Sequence, residues 1–156
     1  IQFLLCVYNH LLYLHIFTLL FQIIPSSILL GALIFGTAFV APIAITTLGE
    51  ANAGSFLRKY WVVYHRLGLF GCLSILVLTL ATSTLWQTLG TSVFLSALAT
   101  FSTICFFCGL KLIPEINAAR DADQHDKFKK LHLLDVILVG LAQLAIIATI
   151  IIAITF

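Results

Sequence analysis

The sequence predicts an all-α transmembrane helical bundle, and three observations lead to that fold class. Hydrophobic residues make up 62% of the 156 residues and charged residues only 9%, whereas a soluble domain carries about 25% charged residues. Several apolar runs reach the roughly 20 residues that a helix needs to cross a bilayer. Most of the charged residues fall between these runs. The chain is therefore expected to form a single integral membrane domain over residues 1–156.

The predicted helices follow one another with short breaks. An N-terminal apolar helix covers about residues 1–24. The sequence IPSS follows it, with Pro25 as a helix breaker and a serine as the next N-cap. Four core helices are predicted over about residues 27–48, 61–85, 89–113 and 131–156. Pro42 should kink the end of the first core helix, because it removes a backbone hydrogen bond.

Small residues at four-residue spacing indicate where these helices pack against each other. Lipid offers no hydrophobic drive between helices, so close backbone approach at small residues takes its place. The residues concerned are Ala32, Gly36, Gly68, Cys72, Ser92, Ser96 and Thr100.

The distribution of charge predicts the orientation and the partners. Loops 49–60 and 111–130 carry basic residues, and the connection near residues 86–90 carries none. By the positive-inside rule, both charged loops lie on the cytoplasmic, matrix or stromal side of a bacterial or organellar inner membrane. The expected partners are the lipid bilayer, bound lipids and other membrane subunits. The net charge of +2 does not favour nucleic-acid binding.

A polar cluster is predicted where the second and fourth core helices begin. Tyr64, His65 and Arg66 stand near the start of one, and His132 and Asp135 near the start of the other. Arg66 is the expected partner of Asp135, at the same depth. The cluster is either a proton or ligand site or a structural ion pair that locks two helices together. We favour the structural interpretation, because buried charges need pairing whether or not they react.

Cofactor ligands are sought among the histidines and cysteines. His15, His65 and His132 could ligate a haem between facing helices. However, membrane cytochromes usually place such ligands deeper, and His65 and His132 lie close to helix ends. Cys105 and Cys108 form a CxxC pair without a second Cys or His pair at their depth, and they are interpreted as packing residues. No resident cofactor and no metal site is predicted.

Three segments carry a resemblance to a known family. GALIFGTAFVAPIAI is followed by YHRLG and later by KLIPEINAARDADQHDKFKKLHLLD. Together they resemble the uncharacterised bacterial integral-membrane family that groups with vertebrate transmembrane protein 205, over roughly residues 28–156. The matching positions are Gly31, Pro42, Tyr64, Arg66, Pro114, Ile116, Arg120, Asp121, Phe128, Leu131 and His132. The resemblance implies a four-helix core and no established activity, and Asp135 departs from the family pattern.

The leading functional hypothesis is a non-catalytic polytopic membrane protein that serves as an accessory or scaffold subunit of a larger complex. It rests on the lack of convergent polar groups in mid-membrane and of a broken helix pair of the transporter type. Two alternatives stay open. One is a haem- or metal-dependent membrane oxidoreductase, and the other is a small proton-coupled transporter whose polar path runs through Arg66, His132 and Asp135. No catalytic residue is predicted, and enzymatic activity is left undecided.

Overall fold

The computed structural model describes residues 13, 16, 19–86 and 89–155, and every element among residues 19–86 and 89–155 is helical. The elements are Leu19–Ile23 (π), Ile24–Phe35, Gly36–Val40 (π), Ala41–Trp86, Leu89–Asp121 and His125–Thr155. Among these described residues, four helices are long and apolar enough to cross a membrane: α1 (Leu20–Gly49), α2 (Ala51–Thr82), α3 (Gly90–Asp121) and α4 (His125–Thr155). The predicted all-α transmembrane bundle is thereby confirmed.

Helix α1 runs through both of its prolines. Pro25 falls in the first turn of the Ile24–Phe35 segment, and the preceding π turn continues directly into that segment. The expected break and serine cap at IPSS are therefore absent from the described chain. Ahead of Pro42, the π turn Gly36–Val40 already departs from regular α-helix geometry. The predicted N-terminal helix over residues 1–24 lies mostly outside the described residues.

Both charged segments predicted as loops are mainly helical. Helix α1 ends at Gly49, whose φ of +70° is a conformation that glycine adopts at little cost, and α2 begins two residues later. Helix α3 continues through Pro114, beyond the predicted helix end at residue 113, and ends at Asp121. A helix of 32 residues is about 48 Å long, longer than the ~30 Å hydrocarbon core, so its polar end projects into water with its backbone bonds intact.

A tight turn joins α3 to α4 at the charged end of the bundle. Asp123 has a φ of +53°, and its N–H donates to the Arg120 carbonyl. The Gln124 N–H donates to the Ala119 carbonyl at 2.9 Å, which completes a Schellman motif. This turn holds the ends of α3 and α4 together and thus positions the residues of the candidate site.

The bundle core is built from residues of all four helices, with small residues at the closest approaches. Gly68 faces the Phe106 ring, where an added Cβ would lie 2.4 Å from a ring carbon, and Gly71 faces Leu29 in the same way. Of the predicted packing residues, Gly36, Gly68, Cys72 and Ser92 are buried, Ser96 is half-buried, and Ala32 and Thr100 are exposed. The buried core cluster is Leu29, Leu33, Tyr64, Cys72, Ile75, Ala99, Cys105, Phe106, Val139, Ala142 and Ile146.

Candidate functional site

The most deeply buried ionisable contact of the described chain joins α2 to α4. His65 Nε2 lies 2.9 Å from Asp135 Oδ1, and His65 Nδ1 lies 2.8 Å from the Trp61 carbonyl oxygen. The His65 side chain is completely buried, whereas 11% of the Asp135 side chain is exposed. Asp135 is therefore the member of the pair that other molecules can reach.

The geometry fixes how many protons this pair holds. A carbonyl oxygen only accepts, so His65 Nδ1 must donate its proton to Trp61. The contact between Nε2 and Asp135 then needs a second proton, carried either by the imidazole or by the carboxyl group. The pair is consequently an imidazolium with a carboxylate, or a neutral imidazole with a carboxylic acid. Its net charge is zero in both forms, which is how an ionisable group is tolerated in a membrane helix.

Gly109 of α3 lets the third helix close over the pair. An added Cβ at this position would lie 2.6 Å from His65 Nε2 and 2.8 Å from Asp135 Oδ1. Real Cβ atoms essentially never approach other atoms this closely. The backbone of α3 therefore packs directly against the hydrogen bond between His65 and Asp135. Helices α2, α3 and α4 meet at this point.

A second polar contact, made by the hydroxyl group of Tyr64, links α1, α2 and α4. The buried Tyr64 hydroxyl donates to the Leu33 carbonyl of α1 at 3.3 Å and accepts from Gln143 Nε2 of α4 at 3.1 Å. Gly36 makes room for this arrangement, because a Cβ there would lie 3.0 Å from the Tyr64 ring. Tyr64 and His65 therefore attach α2 to its neighbours in different directions.

An elongated cavity of about 580 Å³, here named the central cavity, opens between the helices beside these contacts. Its lining on α4 extends from Phe128 to Gln143, about 22 Å along the helix axis. Asp135 borders it about 10 Å from the Phe128 level. Its walls are mainly apolar and include Ile45, Leu57, Trp61, Ile113, Ile116, Val136 and Val139.

One end of the central cavity carries two arginines. Arg58 and Arg120 line both the central cavity and an adjoining polar cavity of about 400 Å³, which we call the rim cavity. Arg58 makes a bidentate salt bridge with Asp121, a residue with half of its side chain exposed. The Arg120 guanidinium lies 5.9 Å from the centre of the Phe128 ring, and it makes no ion pair within the described part of the chain.

The structure brings together part of the predicted polar cluster. Tyr64, His65 and Asp135 are neighbours, but Asp135 pairs with His65, and Arg66 is exposed. His132 stacks on Phe128 and lines the central cavity one turn from Asp135. Arg66 is thus separated from the carboxylate it was expected to neutralise, because adjacent helical residues point about 100° apart.

Two of the three haem candidates, His65 and His132, lie within the described residues. Both ring nitrogens of His65 already have partners, so coordination to iron would cost it one of two hydrogen bonds. His132 is exposed on the cavity side, and His15 lies outside the described residues. Within the described residues no cluster of three or more potential metal ligands occurs. The prediction of no resident cofactor and the alternative of a haem both rest on the sequence alone.

Three residues of the site carry roles that the sequence did not assign. Gly109, Arg58 and Arg120 were interpreted as parts of generic helix or of charged loops. Gly109 had a signal, since a glycine inside an apolar helical run often marks a close backbone approach. The two arginines had none beyond their positive charge, because only the tertiary fold brings them to one cavity.

Taken together, the fold and this site define a polytopic membrane protein that encloses a cavity between its helices. A family model described as a domain of unknown function (DUF4149) matches residues 26–125, and the chain belongs to that family. The matched segment includes His65, Gly109 and both rim arginines, and it ends where α4 begins. No curated protein and no solved structure matches the chain. The resemblance to the transmembrane protein 205 group stays a prediction.

Proposed function

We propose that this chain is a non-catalytic membrane protein that binds a small amphipathic molecule in the central cavity. The observation that carries the proposal is the cavity itself, an elongated space with apolar walls, charged residues at one end and Asp135 along its side. Its volume of about 580 Å³ falls within the range of about 300–1,000 Å³ typical of small-molecule sites.

The chemistry of the lining supports binding over reaction. The apolar walls suit a hydrocarbon body, and the polar groups are few and separated along the length of the cavity. Thr37, His132 and Asp135 are the lining residues with nucleophilic side chains, and the Thr37 hydroxyl donates to carbonyls of its own helix. Asp135, the one carboxylate in the lining, is held by His65.

Two glycines allow a matched test of this proposal. A Cβ at Gly140 or at Gly31 would meet no atom within 4 Å, so leucine should be accepted at both positions. Only Gly140 lines the central cavity, whereas Gly31 is exposed elsewhere on the bundle. Gly140→Leu should therefore fill the cavity, and Gly31→Leu should leave it open.

The probe is an uncharged long-chain alcohol that carries a photoreactive diazirine, applied to the purified protein in nanodiscs. Wild type and Gly31→Leu should be labelled on the cavity-lining segments, and Gly140→Leu should lose most of that labelling. Equal labelling of the two leucine variants at those segments would contradict the proposal. Circular dichroism of each variant verifies that the helices are intact.

A small proton-coupled transporter is the second candidate, and one specific observation favours it. Asp135 borders the cavity and makes a hydrogen bond with His65, so a ligand would lie beside a carboxyl group that is linked to an imidazole. Asp135→Asn removes the ionisable group and nearly preserves its shape. In proteoliposomes this variant should bind the ligand but lose pH-driven uptake. Uptake at the wild-type rate would refute a coupling role.

The accessory-subunit hypothesis concerns the outer surface of the bundle. Large apolar side chains such as Phe70, Phe94 and Leu144 are more than 60% exposed, and they could face either lipid or another subunit. Co-migration with a larger complex after mild detergent extraction would support a subunit role. Reproducible isolation as a monomer would count against it.

A further inference from the structure

We propose that the ligand of the central cavity is a single-chain amphiphile with an anionic head, bound by Arg58 and Arg120 through displacement of Asp121. The inference rests on the proposed function, because it names the chemical class that the same cavity would take. The shared head chemistry is an oxyanion, either the carboxylate of a fatty acid or the phosphate of a lysophospholipid.

The charge of the cavity supports an anion. Arg58 and Arg120 line it at the rim, and Asp121 neutralises one of them. The buried His65–Asp135 pair adds no net charge in either protonation form. One positive charge is thus left at the rim, beside a wall that is otherwise apolar.

The shape of the cavity supports a single chain. The lining on α4 runs about 22 Å from Phe128 to Gln143, so an extended hydrocarbon chain can lie along it. The volume of about 580 Å³ lies within the range of about 300–1,000 Å³ typical of sites for one small molecule. The charged end of the cavity lies at the polar ends of α2 and α3, where an anionic head would remain hydrated.

The existing salt bridge indicates how the head would be held. Arg58 already binds the carboxylate of Asp121 in bidentate geometry, so its guanidinium is oriented to bind an oxyanion. The partner, Asp121, is 55% exposed and can turn toward water at small cost. Arg120 lies beside the same cavity without an ion partner among the described residues. A ligand oxyanion would therefore compete with Asp121 for Arg58 and recruit Arg120.

Three ligands test the inference in nanodiscs made of zwitterionic lipid. Oleate and oleoyl lysophosphatidate carry the anionic heads, and oleyl alcohol carries the same chain without charge. Each competes against the photoreactive alcohol for the cavity-lining segments. We expect one or both anions to compete at least about tenfold more strongly than the alcohol, since a hydrogen bond to a charged group is worth about that factor or more. Which anion competes better identifies the source of the head.

Four variants assign the effect to named residues. Arg58→Gln and Arg120→Gln should each weaken anion binding about tenfold, and each should weaken anion binding more than alcohol binding. Lys59→Gln is the matched control, because Lys59 is exposed on the same helix and lines neither cavity. Asp121→Asn should strengthen anion binding, since it removes the competitor for Arg58. A merely structural salt bridge would not produce this gain.

The outcomes separate the two proposals. Equal competition by the alcohol and both anions would overturn the present inference and leave ligand binding in the cavity standing. The inference would also be overturned if Lys59→Gln weakened anion binding as much as Arg58→Gln does. The anion would then respond to the general positive charge of the surface. If Asp121→Asn weakens anion binding, the proposal that the ligand displaces Asp121 from Arg58 is wrong. Failure of all three ligands to compete would remove both proposals.

Discussion

Replacing Gly109 with alanine is the sharpest test of the three-helix junction. The new Cβ would lie 2.6 Å from His65 Cδ2 and Nε2, whereas ordinary contacts begin at 3.4 Å, so the ring or the backbone must move by about 0.8 Å. The ring cannot move freely, because hydrogen bonds of 2.8 and 2.9 Å hold both of its nitrogens. Overpacking of this kind costs about 1–3 kcal/mol.

Gly31→Ala is the matched control for this prediction. Both glycines lie within helices, and alanine is favoured over glycine there by about 0.5–1 kcal/mol. At Gly31 no atom opposes the Cβ, so only this gain applies. Equilibrium unfolding in mixed detergent micelles should show a lower free energy of unfolding for Gly109→Ala and an unchanged or slightly higher value for Gly31→Ala.

A double-mutant cycle ties the loss to His65. In a His65→Ala background the opposing ring is gone, and Gly109→Ala should cost much less than it does in wild type. If Gly109→Ala is as stable as Gly31→Ala, α3 does not close over the pair as described. An equal cost in both backgrounds would place the clash elsewhere.

Three further predictions concern the core and the cofactor. Gly68→Ala should destabilise the bundle by about 1–3 kcal/mol through its clash with the Phe106 ring, and Phe106→Leu should recover part of that loss in an unfolding titration. Tyr64→Phe removes the hydroxyl that accepts from Gln143, and should lower the free energy of unfolding by about 0.6–1.7 kcal/mol. His65 should not ligate a haem, because both of its ring nitrogens are engaged, so any Soret band of the purified protein should persist in His65→Ala.

The helix number follows from hydropathy, but the helix ends do not. Besides the N-terminal run over residues 1–24, the sequence has four apolar runs, and the described residues contain four helices long and apolar enough to span a membrane. Pro25 and Pro114 were interpreted as boundaries, yet both lie within helices. A proline removes one backbone bond, and neighbouring turns can absorb that loss. Charged residues were likewise assigned to loops, although a helix that leaves the bilayer keeps its own hydrogen bonds and tolerates them.

The depth of the polar residues follows from the sequence, whereas their pairing does not. Spacing placed Asp135 opposite the start of the second core helix, where His65 does lie. The choice between His65 and Arg66 depends on how α2 is rotated about its axis, and one residue changes that direction by about 100°. The central cavity depends on the separation of whole helices, which no local pattern of residues encodes.

The irregular stretch of α1 offers a physical reason for the cavity. Before the π turn, Leu29 and Leu33 pack in the core, whereas from Thr37 onward α1 lines the cavity as far as Ile45. A π turn changes the direction in which a helix presents its following residues, so α1 can pack closely in one half and stand apart in the other. The Thr37 hydroxyl donates to carbonyls of its own helix and is therefore already satisfied. Recognition of a charged ligand thus falls to the rim arginines, and the wall contributed by α1 provides only apolar contact and space.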